Sequence, residues 1–301
     1  MSRSRVKFKR WQPLGKSTWP YRIFLKFNGE LHQLINTHLV STAAVYRGLK
    51  EKGANWNDSP AKFFDPKHRD FEMYKNLREW SDTYNMFDNW VTLSRIMTIS
   101  STIETYLASV IGSALDSDPG VLLGIPRGID GAAVLKNGPR KGIDSAPFIE
   151  ACTKGTWSAR LDAFEKLFGV GPPELRSAHS SFEAIRGIRN RFGHAFGRDI
   201  DEARKHGVLE LLPMEKVSQE QANRLWKDVS IAMKAVDVFL LTKHIGDFET
   251  VRFYHTLEPT LKVSSHRNVK AVALKRAIGG IGAESRGKDY CGELIDYWEA
   301  L

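Results

Sequence analysis

Two stretches of the chain repeat their apolar residues at the spacing of one helix face. In 91–111, Leu93, Ile96, Ile99 or Ser100, Ile103, Leu107 and Val110 recur every three or four positions. In 218–245, Ser218 and Gln221 make a capping box, and Leu225, Val229, Met233, Val236 and Leu240 form the stripe. Lys243, His244 and Gly246 mark the end of that helix. The fold class is therefore mainly α.

The rest of the chain fits around these two helices. Residues 30–50 are helix-like, with Leu31, Leu34, Leu39, Val40 and Ala44 on one broad apolar side. Residues 52–70 are loop-like, and a long helical region begins near Phe71. Residues 115–147 are rich in Gly and Pro and read as a loop insertion. Its basic tip, 137–142, is either a contact for a polyanion or a plain surface loop. Helices are expected at 147–168 and 175–192, separated by the stop at 169–173. Val208–Pro213 reads as a short strand or extended piece. Partial alternation of Val251, Phe253 and Leu257 around Glu258-Pro259 suggests a small β-hairpin over 250–263. One or two short helices close the chain.

Charge is distributed unevenly. The net charge is +9, and residues 1–29 hold eight of the 44 Lys/Arg and none of the 35 Asp/Glu. Phe8, Trp11, Trp19, Tyr21, Phe24 and Phe27 are interleaved with these cations. Cations neutralise phosphates and aromatic rings stack on bases, so Arg3, Arg5, Lys7, Lys9 and Arg10 are candidate RNA contacts, as is Arg191 further on. Two alternatives stand beside this: a solubilising tail whose aromatics dock on the core, or a transit peptide. No apolar run approaches a membrane span, no secretory signal is evident, and two distant cysteines fit a reducing compartment. The expected location is cytoplasmic, with no membrane contact.

The candidate chemistry lies in Arg189-Asn190-Arg191-Phe192-Gly193-His194. Arginine is always cationic, and histidine exchanges a proton near neutral pH, so the pair can cut a phosphodiester without a metal. On a helix over 181–192, Phe182, Ile185, Ile188 and Phe192 form the buried side and Arg189 lies along it. A continuous helix would splay Arg189 and His194 by about 140°. Gly193 and Gly197 are therefore expected to form a helix exit that turns His194 back toward Arg189. The structural alternative is an ordinary helix end, with His194 near the carbonyl pole and Arg189 in an ion pair.

Arg189-Asn190-x-x-x-His194 resembles the signature of the HEPN superfamily: an arginine, a polar residue, and a histidine after a short gap. A preceding helix with an embedded acid (Glu104), a following glycine (Gly197) and the long helix at 218–245 match the family's context. The resemblance covers 88–246, flanked by a basic N-terminal arm and helical extension at 1–87 and a C-terminal extension at 247–301. It implies an HEPN-like helical bundle and a homodimer that joins two Arg/His pairs in one cleft. It also implies metal-independent cleavage of single-stranded RNA or a tRNA loop. His194 would be the general acid–base, Arg189 would stabilise charge on the phosphorane, and Asn190 would orient the histidine or phosphate. Such families serve as toxins or antiviral effectors, with an antitoxin or sensor protein as a further partner. A non-catalytic module of the same type, binding RNA or protein, is the alternative.

No cofactor and no metal site is expected. The remaining histidines lack ligand spacing. Gly282-Ala283-Glu284-Ser285-Arg286-Gly287-Lys288-Asp289 resembles a P-loop, but Asp289 stands where a Ser or Thr must reach magnesium.

Overall fold

The computed structural model describes residues 7–64, 73–138, 144–203, 211–261 and 266–301. Among them the chain is helical and contains no strand. The elements are α1 (Trp19–Glu51), α2 (Leu77–Ser117), α3 (Gly131–Asn137), α4 (Ala146–Thr153), α5 (Trp157–Phe168) and α6 (Pro173–Ser177). They continue with α7 (His179–Ala195), α8 (Ile200–Ala203), α9 (Gln219–Leu240), α10 (Phe248–Leu257), α11 (Arg267–Gly280) and α12 (Lys288–Ala300).

Several expectations need correction. The hairpin is absent: Phe248, Val251 and Tyr254 are buried at helical spacing in α10, and Glu258–Thr260 adds a 3-10 turn. Val251 lies on that buried face, whereas Phe253 and Leu257 are only half-buried, so the alternation marks no buried side. Residues 211–213 belong to no strand, and 208–210 lie outside the described residues. The insertion at 115–147 is largely structured, because α2 runs unbroken to Ser117 and α3 fills 131–137. Most of its basic tip lies outside the described residues, as does the expected helix start near Phe71. The helix expected at 147–168 is broken at Gly155 (φ +91°), after which Thr156 accepts from the Ala159 amide and starts α5. Ser218 caps α9 as expected, accepting from the Gln221 amide at 3.0 Å, and α9 ends in a π-turn at 241–245 before Gly246.

The contacts divide the chain into two discontinuous units. The first comprises Met1–Phe24, Ile103–His179 and Val229–Leu301; the second comprises Leu25–Thr102 and Ser180–Asp228. Helices α1, α2 and α9 each contribute to both.

The first unit is organised around the N-terminal segment. Arg10 is 5% exposed: its guanidinium donates to Asp130 Oδ1 (3.1 Å), the Ile245 carbonyl (2.7 Å) and the Ser117 carbonyl (3.0 Å). Trp11 and Phe248 lie against its planar face. Gly246 sits at φ +58°, and a Cβ there would meet the Arg10 carbonyl at 2.2 Å, so only glycine fits beside the segment. Phe8 meets Tyr290 and Tyr297, Trp19 meets Phe253, and Tyr21 and Phe24 meet Tyr106. Phe8, Trp11, Trp19, Tyr21 and Phe24 thus pack within this unit, Phe24 fully and the others half-buried, whereas Phe27 is 49% exposed.

Two buried acids hold the start of α1. Asp237 accepts from the Thr18 hydroxyl (2.5 Å) and Thr18 amide (3.3 Å), and Glu249 accepts from the Trp19 amide (2.9 Å). Burial raises Asp237 to about 6, against the Thr18 bonds that favour its ionised form. Burial likewise raises Glu249 to about 7. Both values lie above those of an unfolded chain, so the folded state binds more protons between about pH 4 and pH 7. Stability should therefore be greatest below pH 4 from these groups and fall by on the order of a few kcal/mol as pH rises through 7. Asp237→Asn should flatten that slope in urea melts taken at several pH values; an unchanged slope would show that Asp237 ionises freely.

The second unit joins α1, α2 and α7. His38 Nε2 meets Asp88 Oδ1 at 2.8 Å, Thr42 meets the Tyr84 hydroxyl at 2.9 Å, and Tyr46 meets Ser81 at 2.9 Å. Its core holds Leu93, Ile96 and Ile99 of α2 with Phe182, Ile185 and Ile188 of α7.

Candidate functional site

Helix α7 carries Arg189, Asn190, Arg191 and His194. Of the four residues expected on its buried side, Phe182, Ile185 and Ile188 are at most 3% exposed, while Phe192 is half-buried. Its start is tied to α9 by Ser181, which donates to Asp228 at 2.7 Å.

The expected exit at Gly193 is a correction. α7 continues through Gly193 and His194 to Ala195. The exit comes at Phe196 (φ +52°) and Gly197 (φ +75°), where the Gly197 amide returns to the Arg191 carbonyl at 3.1 Å. A glycine inside a helix costs only about 1 kcal/mol, so Gly193 alone does not end one. Arg189 and His194 are consequently about 140° apart around the helix axis, and one chain does not bring them together.

Arg189 is exposed rather than buried along the stripe, and it donates to Asn190 Oδ1 at 3.2 Å. It has no ion pair among the described residues. His194 is also exposed and has no hydrogen-bond partner among the described residues. Arg186, Asn190 and Gly193 fall on the arc between them, and the space over Gly193 is open. Arg191 is not a free cation: Glu215 grips it at 2.9 and 2.8 Å and raises its pKa. Glu104, the embedded acid, is paired with Arg160 at 3.0 Å.

The N-terminal candidates separate. Arg10 is a buried structural residue, so its expected RNA contact is withdrawn. Lys7 and Lys9 are exposed, and Arg3 and Arg5 lie outside the described residues.

One feature of the second unit escaped sequence reasoning. Phe87 and Trp90 of α2 continue into Phe192 and Phe196 at the end of α7, with successive ring centroids 6.2, 6.2 and 6.3 Å apart. Phe87, Trp90 and Phe196 are 46%, 37% and 55% exposed, so part of each reaches solvent. The Arg198 guanidinium lies 5.3 Å from the Phe196 centroid. Each pair is legible locally, at i, i+3 or i, i+4, but the meeting of Trp90 with Phe192 depends on how α2 packs on α7.

Other chemistry is limited. Burial pushes both the Cys152 and Cys291 thiols up to about 11, so neither is a reactive thiolate at neutral pH. The P-loop-like segment follows helix α11 rather than a strand, and Arg286 there is turned onto Glu284 and Tyr290. Among the described residues no group of three or more His, Cys, Asp or Glu could hold a metal ion. No helix among them is long and apolar enough to cross a membrane. No family model matches the chain, and no curated protein or solved structure matches it.

Proposed function

We propose that the chain is a metal-independent endoribonuclease of HEPN type, acting as a homodimer on single-stranded RNA or a tRNA loop. In this proposal it is a cytoplasmic toxin or antiviral effector, restrained or triggered by an antitoxin or sensor protein. The observation that supports it most is that Arg189 and His194 both reach solvent from one helix, with no carboxylate partner among the described residues. A guanidinium without a counter-ion is poised for phosphate, and an exposed imidazole can exchange protons with a ribose hydroxyl. Because the two are splayed, the working site needs the Arg189 of one copy and the His194 of another. Docking two α7 helices over the open Asn190–Gly193 arc would place both pairs beside the same seam.

His194 takes the 2′-hydroxyl proton and the alkoxide attacks the neighbouring phosphorus. Arg189 offsets the charge on the phosphorane, and the 5′-oxygen leaves with the proton returned by the protonated His194, giving a 2′,3′-cyclic phosphate and a free 5′-hydroxyl. Asn190 orients the imidazole or the scissile phosphate. The test is cleavage of a labelled single-stranded RNA in the presence of EDTA. Arg189→Ala and His194→Ala should each lower the rate by about a hundredfold or more, and a 2′-deoxy residue at the scissile position should block the cut. Strict dependence on Mg²⁺, or normal cleavage by His194→Ala, would sink the mechanism.

The splay favours a second reading. A module that never pairs Arg189 with His194 would bind RNA or a protein partner without cutting, and both substitutions would then alter assembly alone.

A further inference from the structure

The geometry points to the Phe87–Trp90–Phe192–Phe196 row as a stacking platform for the unpaired bases of single-stranded RNA, with Arg189 and Arg198 taking its phosphates. This deepens the ribonuclease proposal and rests on it for the choice of RNA. Four rings in sequence, three of them at least 37% exposed, is an unusual commitment of aromatic surface to water. Every base has a π-face, so such a row holds a strand without reading its sequence.

The charges around the row select the occupant. Arg189 precedes Phe192 by three positions on α7, about 60° around the axis and on the same side. Arg198 lies over Phe196 and is held there by the Leu212 carbonyl at 2.6 Å. Neither arginine has a carboxylate partner among the described residues. Of the acids around the row, Asp88 is engaged with His38 and Glu215 with Arg191, while Asp199, next to Arg198, is exposed and accepts from the Glu202 amide. A second copy seated on the row by a two-fold axis would bring its arginines toward their own counterparts, which a polyanion avoids. A polyanion carrying aromatic bases satisfies both the cations and the rings. The row also lies on the Arg189 side of α7, away from the His194 side, so a strand lying on it passes the guanidinium before it reaches the seam between copies.

The test uses a fluorescein-labelled 2′-O-methyl oligouridine, which cannot be cleaved through its 2′-oxygen, so binding is read without turnover. Phe196→Ser and Trp90→Ala should each weaken binding by about tenfold or more, while Trp90→Phe should keep most of the affinity. Arg198→Ala and Arg189→Ala should each lower the salt slope of log Kd by about 0.7. Circular dichroism melts confirm that each variant is folded, and the exposed Phe196 guards against a loss of fold in the Trp90 variants. Unchanged affinity in folded Phe196→Ser and Trp90→Phe,Phe196→Ser proteins would overturn the platform. So would conversion of a dimer to a monomer by Phe196→Ser with unchanged oligonucleotide affinity, which would make the row a protein interface. Tight, row-dependent binding together with no cleavage of ordinary RNA would leave the platform standing and remove only the ribonuclease proposal.

Discussion

Arg10→Met is expected to destabilise the protein by about 3–5 kcal/mol, seen as a lower urea midpoint at an unchanged slope. The substitution keeps much of the side-chain volume but removes every donor. Asp130 would then lose its guanidinium while still accepting from the Tyr297 hydroxyl and the Ala132 amide. The Ile245 and Ser117 carbonyls would lose their Arg10 donors in a buried setting. Lys7→Ala and Lys9→Ala, by contrast, should shift stability by no more than about 0.5 kcal/mol, since both side chains are exposed. A direct RNA role for Arg10 predicts the reverse pattern, with affinity lost and the urea midpoint unmoved. That result would return the segment to the class of nucleic-acid arms.

The second large effect concerns assembly of the active site. An equimolar mixture of Arg189→Ala and His194→Ala chains, unfolded and refolded together, should recover about a quarter of wild-type cleavage if the site is shared across a two-fold axis. Random pairing makes about half the dimers mixed, and each mixed dimer keeps one intact arginine–histidine pair and one doubly broken pair. Each variant alone should stay about a hundredfold or more below wild type, so the recovery is easily measured. Absence of recovery with both variants dimeric would place each working pair within one chain. That would require α7 to unwind near Gly193, the only way to close about 140° along so short a segment.

Much of the helical framework was legible because its signals are local. The stripe of α9, its Ser218 cap and its end near Gly246 all follow from hydrogen-bond needs at helix termini and from one apolar face. Most of the buried side of α7 follows in the same way. The failures share a cause as well. Gly193 looked like an exit because glycine tolerates one, but its φ is settled by whether the next turn packs. That turn continues to Ala195, and Gly197 closes it against Leu93, where an added Cβ would lie 3.0 Å from Leu93 Cδ1. The expected hairpin at 250–263 failed because alternation over a few residues is compatible with α10, and the buried trio of Phe248, Val251 and Tyr254 decides for the helix.

The chain by itself determined the helical class, the Ser218 cap, most of the buried face of α7 and the presence of an arginine and a histidine five positions apart. These depend on periodicity and on residues within a turn of one another. Only the tertiary structure distinguished Arg10 from its neighbours Lys7 and Lys9, since nothing within a few residues marks which cation will meet Asp130 and the carbonyls of 117 and 245. Only it joined Trp90 to Phe192, because that contact belongs to the packing of α2 on α7. And only it left Arg189 and His194 on separated faces of one unbroken helix, which makes a second copy the physical requirement for the proposed chemistry.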